Sequence, residues 1–131
     1  MAKKEVQPCP CGGPAFETCC GRFIDKGEIP ETAEQLMRSR YSAYVLRCEP
    51  YLKATWHAST RPGEAVAQDD GTKWLGLEVK KHIPAGDEAT VEFVARYKTG
   101  GRAHRLHEVS RFVREDGRWF YVDGSFPERQ Q

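Results

Sequence analysis

Four of the chain's five cysteines fall between residues 9 and 20, in the stretch CPCGGPAFETCC. Cys9 and Cys11 flank one proline, Cys19 and Cys20 are adjacent, and seven residues separate the two pairs. No other feature restricts so sharply what this end of the chain can fold into. Zinc takes four soft donors in a tetrahedron, with thiolate bonds of about 2.3 Å, and two close pairs bracketing a short loop can wrap one ion. Gly12 and Gly13 after the first pair, and Gly21 after the second, permit the sharp turns this needs. The Cys-x-x-Cys spacing of a dithiol redox centre is absent. A disulfide between the neighbours Cys19 and Cys20 would close a strained ring. Disulfides or free thiols stay open as alternatives to zinc.

A four-thiolate site is closed, with no position for a catalytic water. Zinc at Cys9, Cys11, Cys19 and Cys20 would therefore be structural, one ion per chain, supplying folding energy that a thirty-residue segment cannot draw from its own core. Lys3, Lys4, Arg22 and Lys26 lie close enough in sequence to offset the surplus negative charge. The start of the chain, MAKKEVQPCP, has no apolar run behind its charges, so it does not read as a secretory signal. No stretch reaches the length of a membrane span. The expected compartment is the cytoplasm, where stable disulfides are uncommon. With 20 basic and 19 acidic residues the net charge is +1, which gives no general attraction to nucleic acid or to a membrane surface.

Residues 1–30 lack periodicity and read as a loop-built module; residues 31–131 read as a second, regular domain. Thr32 and Gln35 have capping-box spacing. Ala33, Leu36, Met37, Tyr41, Tyr44, Val45 and Cys48 then follow on one helical face, which makes Cys48 a core residue rather than a fifth ligand. Pro50 suits the first turn of a second short helix, PYLKATWH. After a polar loop over 59–73, four strand-like segments follow: KWLGLEVKKHI, ATVEFVARYKT, RLHEVSRFVRE and RWFYVDG. Asp116-Gly117 is a hairpin dipeptide. Helices followed by strands predict an α+β fold, a curved antiparallel sheet packed on helices.

Arg40 lies within the apolar stripe, and an inward guanidinium needs a partner. With a two-residue turn at Asp116-Gly117, Ser110 faces Asp123 and Phe112 faces Tyr121, so Glu108, Tyr121 and Asp123 share one sheet face. Arg40, Trp56, His57, Glu108, Tyr121 and Asp123 are thus the candidate pocket residues. They form either a structural ion pair fixing helix on sheet or a site for a polar small molecule. His57 ends the second helix and reads as a C-terminal cap. His107 points away from Glu108 by alternation, and His82 and His104 border turns. No complete set of nucleophile, base and orienting group emerges, so no catalytic residue is nominated and binding is favoured over catalysis. The basic run RYKTGGRAHR with Arg111, Arg114 and Arg118 is interleaved with acids, which disfavours nucleic-acid binding.

CPCGGPAFETCCG resembles a SEC-C motif, the small zinc module also found at the end of the SecA translocation ATPase, with a loop one residue shorter than usual. EQLMRSRYSAYVL, YLKATWH, WLGLEV, FVARY and GRWFYVDG follow in the order and spacing of the bacterial YchJ family. The resemblance implies a nuclear transport factor 2-like cone behind the zinc module. It implies a protein-interaction role for the module, with chaperone- or ribosome-associated partners by analogy with SecA. It brings no activity with it, because that fold hosts enzymes and non-enzymes alike.

Overall fold

Helix α2, Ala33–Val45, begins where its capping residues place it. Thr32 is extended, and its Oγ1 accepts from the Gln35 backbone N–H at 3.1 Å. Gln35 Oε1 returns to the Glu31 N–H at 2.8 Å, so the capping box closes one residue early. The helix ends sooner than its apolar stripe. Arg47 adopts φ 55, and the Cys48 and Arg47 N–H groups bond back to the Ala43 and Tyr44 carbonyls. That is a Schellman closure with arginine in the position glycine usually takes. Cys48 consequently leaves the helical stripe and sits half-buried as the N-cap of α3, Glu49–Ala54, a correction to its expected core position.

In the computed structural model, which describes residues 7–67 and 71–127, a 3-10 turn (Phe16–Thr18) and α1 (Gly21–Ile24) precede α2. Strands β1 (Lys73–Ala85), β2 (Glu88–Thr99), β3 (Arg102–Glu115) and β4 (Arg118–Ser125) form one antiparallel meander in the order β1-β2-β3-β4. Asp116 and Gly117 both have positive φ, 53° and 79°, as a two-residue turn matched to strand twist requires. Pro84 lies in β1, an edge strand, where its missing N–H is tolerated. The α+β architecture, helices on a curved four-stranded antiparallel sheet, is the one expected.

Register is where the sequence reading needs correcting. Phe112 does face Tyr121, but a bulge follows, so Arg111 faces Asp123 and Ser110 faces Gly124. The extra residue, Val122, reverses the alternation of β4 beyond it. Asp123 therefore lies exposed on the outer face, in a two-pronged pair with Arg111 at 2.7 and 2.8 Å. The free edge of β4 is covered by the chain after α3. Tyr121 N–H donates to Thr55 O at 2.9 Å, and His57 N–H to Tyr121 O at 2.8 Å.

Helix α2 is buried on nearly every side. Its Leu36, Met37 and Tyr41 join Val91, Phe93 and Phe112 of the sheet. Ser39, Ser42 and Ala43, on other sides of the helix, are fully covered as well. Cys9, Cys11 and Cys20 belong to the same buried cluster as Leu36 and Met37, so the cysteine segment packs directly on α2. Trp119 of β4 reaches the same junction, its Nε1 donating to Glu31 O at 3.2 Å.

Candidate metal centre and the cavity beneath α2

The cysteine loop is built by its own backbone. Gly12 N–H donates to Cys9 O and Cys9 N–H to Gly13 O, both at 3.0 Å, which folds the first pair into a tight turn. The 3-10 turn ends with Cys19 N–H on Phe16 O, and Cys20 opens α1. These two turns bring the Sγ atoms of Cys9, Cys11, Cys19 and Cys20 within 4.8 Å of one another. A tetrahedron with bonds of about 2.3 Å has edges of about 3.8 Å, so the cluster matches a four-thiolate ion. A Cβ on Gly13 would stand 2.6 Å from Cys19 Sγ: glycine is required there by close approach.

Electrostatics favour a shared cation. The Cys11 thiol is pulled down to about 5, chiefly by the hydrogen bond from Cys20. Cys19 is pushed up to about 11, first by burial, and Cys20 is pushed up because its proton is held against Cys11. Protons alone let this group carry little charge, whereas a divalent ion at its centre stabilises four thiolates at once. The four cysteines could therefore hold a metal ion, and they fit one by donor type, number and spacing.

The positive groups around the cluster are only partly those expected. Arg22 Nε donates to Cys19 O at 3.1 Å. Lys26 turns instead to Glu17 at 3.8 Å, and Lys3 and Lys4 fall outside the described residues. Arg38 of α2, not anticipated, donates to Cys11 O at 3.3 Å while bonding Glu34 at 3.0 Å. Ser42 Oγ lies 3.5 Å from Cys9 Sγ. Both contacts come from α2 and fasten the cluster to it.

On its other side α2 roofs a cavity of about 160 Å³ over the sheet. Arg40, Glu108, Ser110, Tyr44 and Tyr121 form its polar end, and Trp74, Phe93, Phe112 and Met37 contribute apolar wall. Arg40, only 5% exposed, is held rigidly. Its Nη1 donates to Leu52 O at 2.9 Å and Thr55 Oγ1 at 2.7 Å. Its guanidinium carbon sits 4.9 and 4.6 Å from the ring centres of Trp56 and Tyr121, each a cation–π contact. Glu108 Oε2 accepts from Ser110 at 2.5 Å and from the Tyr121 hydroxyl at 3.2 Å. Burial pushes its carboxyl up, against those two hydrogen bonds and the nearby Arg40. Gly124 lets this carboxylate lie across β4, since a Cβ there would collide with Glu108 Oε2.

Of the six candidate pocket residues, the structure brings Arg40, Glu108 and Tyr121 together at the cavity, with Trp56 behind them, its ring under the Arg40 guanidinium and edge to face with Tyr121. Asp123 and His57 stand elsewhere. Asp123 is turned out by the bulge. His57 lies beyond α3 and does not cap it; it bonds Ser59 Oγ through Nδ1 at 2.7 Å and Glu115 through Nε2 at 2.8 Å. The Ser59 backbone N–H also donates to Nδ1 at 3.1 Å, so this group clips a turn to the β3–β4 hairpin. Tyr44, Trp74 and Gly124 were missed as site residues. Tyr44 and Trp74 were legible only as core aromatics, and Gly124 gave no local signal at all.

Comparison with known proteins agrees with the geometry. Residues 32–124 match the family described as "YchJ, middle NTF2-like domain". A UPF0225 protein of Methylibium petroleiphilum is 59% identical over 124 residues, covering 94% of this chain and 91% of the relative. Another, from Cupriavidus metallidurans, is 62% identical over 128 residues, covering 92% and 90%. The solution structure of RPA3114, a SEC-C motif containing protein from Rhodopseudomonas palustris, superposes with a TM-score of 0.81 at 31% identity, over 92% of this chain and 98% of that one. The crystal structure of a SEC-C motif containing protein from Psychrobacter arcticus gives 0.77 at 31% identity, over 90% and 81%. Cysteine cluster, helix-roofed sheet and these relatives converge: the chain belongs to the YchJ (UPF0225) family.

Proposed function

We propose that this is a zinc-containing binding protein of the cytoplasm, in which Cys9, Cys11, Cys19 and Cys20 hold one structural Zn2+ and the SEC-C-like segment around them serves as a protein-interaction element. The observation that carries the reading is the convergence of four thiols within 4.8 Å, three of them buried against α2. Sulfur-only donors select zinc over the harder divalent ions. With four protein ligands the ion has no open position for substrate or water, so its contribution is shape. It would fix the 3-10 turn and α1 as a rigid, solvent-facing knuckle on one side of α2. Chaperone- or ribosome-associated proteins are the partner class suggested by the SEC-C likeness. Among the described residues no helix is long and apolar enough to cross a membrane.

Metal analysis of protein purified without chelator tests the first half. About one zinc per chain is expected, and metal-free, fully folded protein overturns the assignment. The second half is tested by affinity capture from cells with wild type and a Cys9→Ser/Cys11→Ser variant. A partner set that is the same for both refutes an interaction role for the knuckle.

A further inference from the structure

Arg40 and Glu108, 5% and 8% exposed, face the same cavity and feel each other's charge. Yet no direct ion pair joins them among the described residues. The Tyr44 hydroxyl lies beside the guanidinium, and the remaining hydrogen bonds of each charge run through a single atom. The Arg40 hydrogen bonds to Leu52 and Thr55 both leave from Nη1, and those Glu108 accepts from Ser110 and Tyr121 both end on Oε2. Two buried charges held apart forgo the Coulomb energy that normally offsets their desolvation. The rigid clamp of Trp56 and Tyr121 on the guanidinium, and the Gly124 gap that seats the carboxylate, keep them from collapsing together. Such a pair is built to receive something between its members.

The cavity specifies what. Its volume, about 160 Å³, is close to that of an engineered apolar cavity that accepts benzene, so one six-membered ring fits. Apolar and aromatic side chains form most of the wall, with Tyr41 and Trp74 edge to face at 5.7 Å. Tyr44 and Trp74 also line a neighbouring surface depression, which puts them at the mouth. At the polar end a donor stands opposite an acceptor, and the two charges cancel. An anionic guest meets Glu108, and a cationic one meets Arg40. A neutral guest with a carbonyl beside an N–H satisfies both.

We propose that this cavity binds an uncharged, single-ring aromatic amide or lactam, its carbonyl accepting from Arg40 and its N–H donating to Glu108, with the ring among Trp74, Phe93 and Phe112. This site is independent of the metal centre on the opposite side of α2.

The test uses the full-length, metal-loaded chain and two-dimensional amide NMR, titrated separately with benzamide, benzoate, benzamidine and toluene. Benzamide should shift the cavity-lining amides of Ala95, Leu106 and Ser110 and bind at least tenfold more tightly than either ion or toluene. Glu108→Gln removes the negative charge and should reverse the order, so that benzoate binds more tightly than benzamide. Leu106→Trp fills the cavity without touching its charges and should abolish all four titrations; it keeps the test decisive if Glu108→Gln does not fold. The proposal is overturned by a cavity that holds water only, with no shifts from benzamide. It is overturned equally by benzoate or benzamidine matching benzamide on wild type, or by binding that survives Leu106→Trp.

Discussion

Gly13 offers the sharpest test of the metal centre, because its role is purely one of space. Its φ is not in the left-handed region, so an alanine there strains no backbone torsion. The new Cβ would stand 2.6 Å from Cys19 Sγ and 3.2 Å from Cys19 Cβ. Ordinary contact begins at 3.4 Å, so the sulfur must retreat by 3.4 − 2.6 = 0.8 Å. Metal–ligand distances tolerate about 0.2 Å. Some of the movement will be absorbed by the loop, and the expected loss is that of a damaged supporting contact, about 10- to 100-fold in zinc affinity, or about 1.4–2.8 kcal/mol. Competition against a chromophoric chelator reads this directly, and cobalt substitution reports whether the tetrahedral thiolate spectrum survives. Gly27→Ala is the control. It lies at φ 74 with open space around its Cβ position, so it should lower stability by about 1 kcal/mol through backbone strain with zinc affinity unchanged. Wild-type affinity and melting temperature in Gly13→Ala would refute the reasoning, since Cys19 could not then be held against Gly13.

Three further outcomes follow from the packing. Stripping the metal with chelator should lower one cooperative melting transition, because Cys9, Cys11 and Cys20 share a buried cluster with Leu36 and Met37; a separate early transition that leaves the sheet signal untouched would show the cysteine segment to be energetically detached. Arg40→Met should cost about 2–4 kcal/mol in denaturant unfolding, as Leu52 O and Thr55 Oγ1 lose a charged donor; a cost under about 0.5 kcal/mol would mean the clamp contributes nothing. Burial raises the Glu108 carboxyl above its ordinary 4.5, so above that pH the folded chain holds this proton more tightly than the unfolded one. Its contribution is then fully present below about pH 4.5 and is lost as pH rises toward the raised value. The stability of wild type relative to Glu108→Gln should therefore fall as pH rises above about 4.5, and a difference that is flat or grows with pH contradicts the assignment.

Much of this was legible in the chain itself. The clustering of the cysteine pairs is legible because it is local: twelve residues carry all four thiols, and glycines mark the turns. The four strand segments and the last hairpin were equally plain, since alternation and Asp116-Gly117 are short-range signals. Arg40 could be recognised as an inward charge from helical periodicity alone. Its partners could not. One inserted residue at Val122 decided that Gly124 rather than Asp123 lies opposite Ser110, and no one-dimensional pattern here marks that bulge.

The tertiary structure alone decided the rest, for reasons of geometry. Ser39 and Ser42 read as polar positions, yet both are fully buried, because α2 has Tyr51 of α3 and Cys9 against it as well as the sheet. Arg47 could enter a left-handed cap only because closing α2 there satisfies two carbonyls. The separation of Arg40 from Glu108 depends on a cation–π clamp from Trp56 and Tyr121 and on the missing Cβ at Gly124. Sequence by itself determined the cysteine cluster, the order of elements and the family, because each rests on spacing along the chain. Which charges share a cavity, and whether they touch, depends on distances across the fold, and those were set only when helix, sheet and cysteine loop packed together.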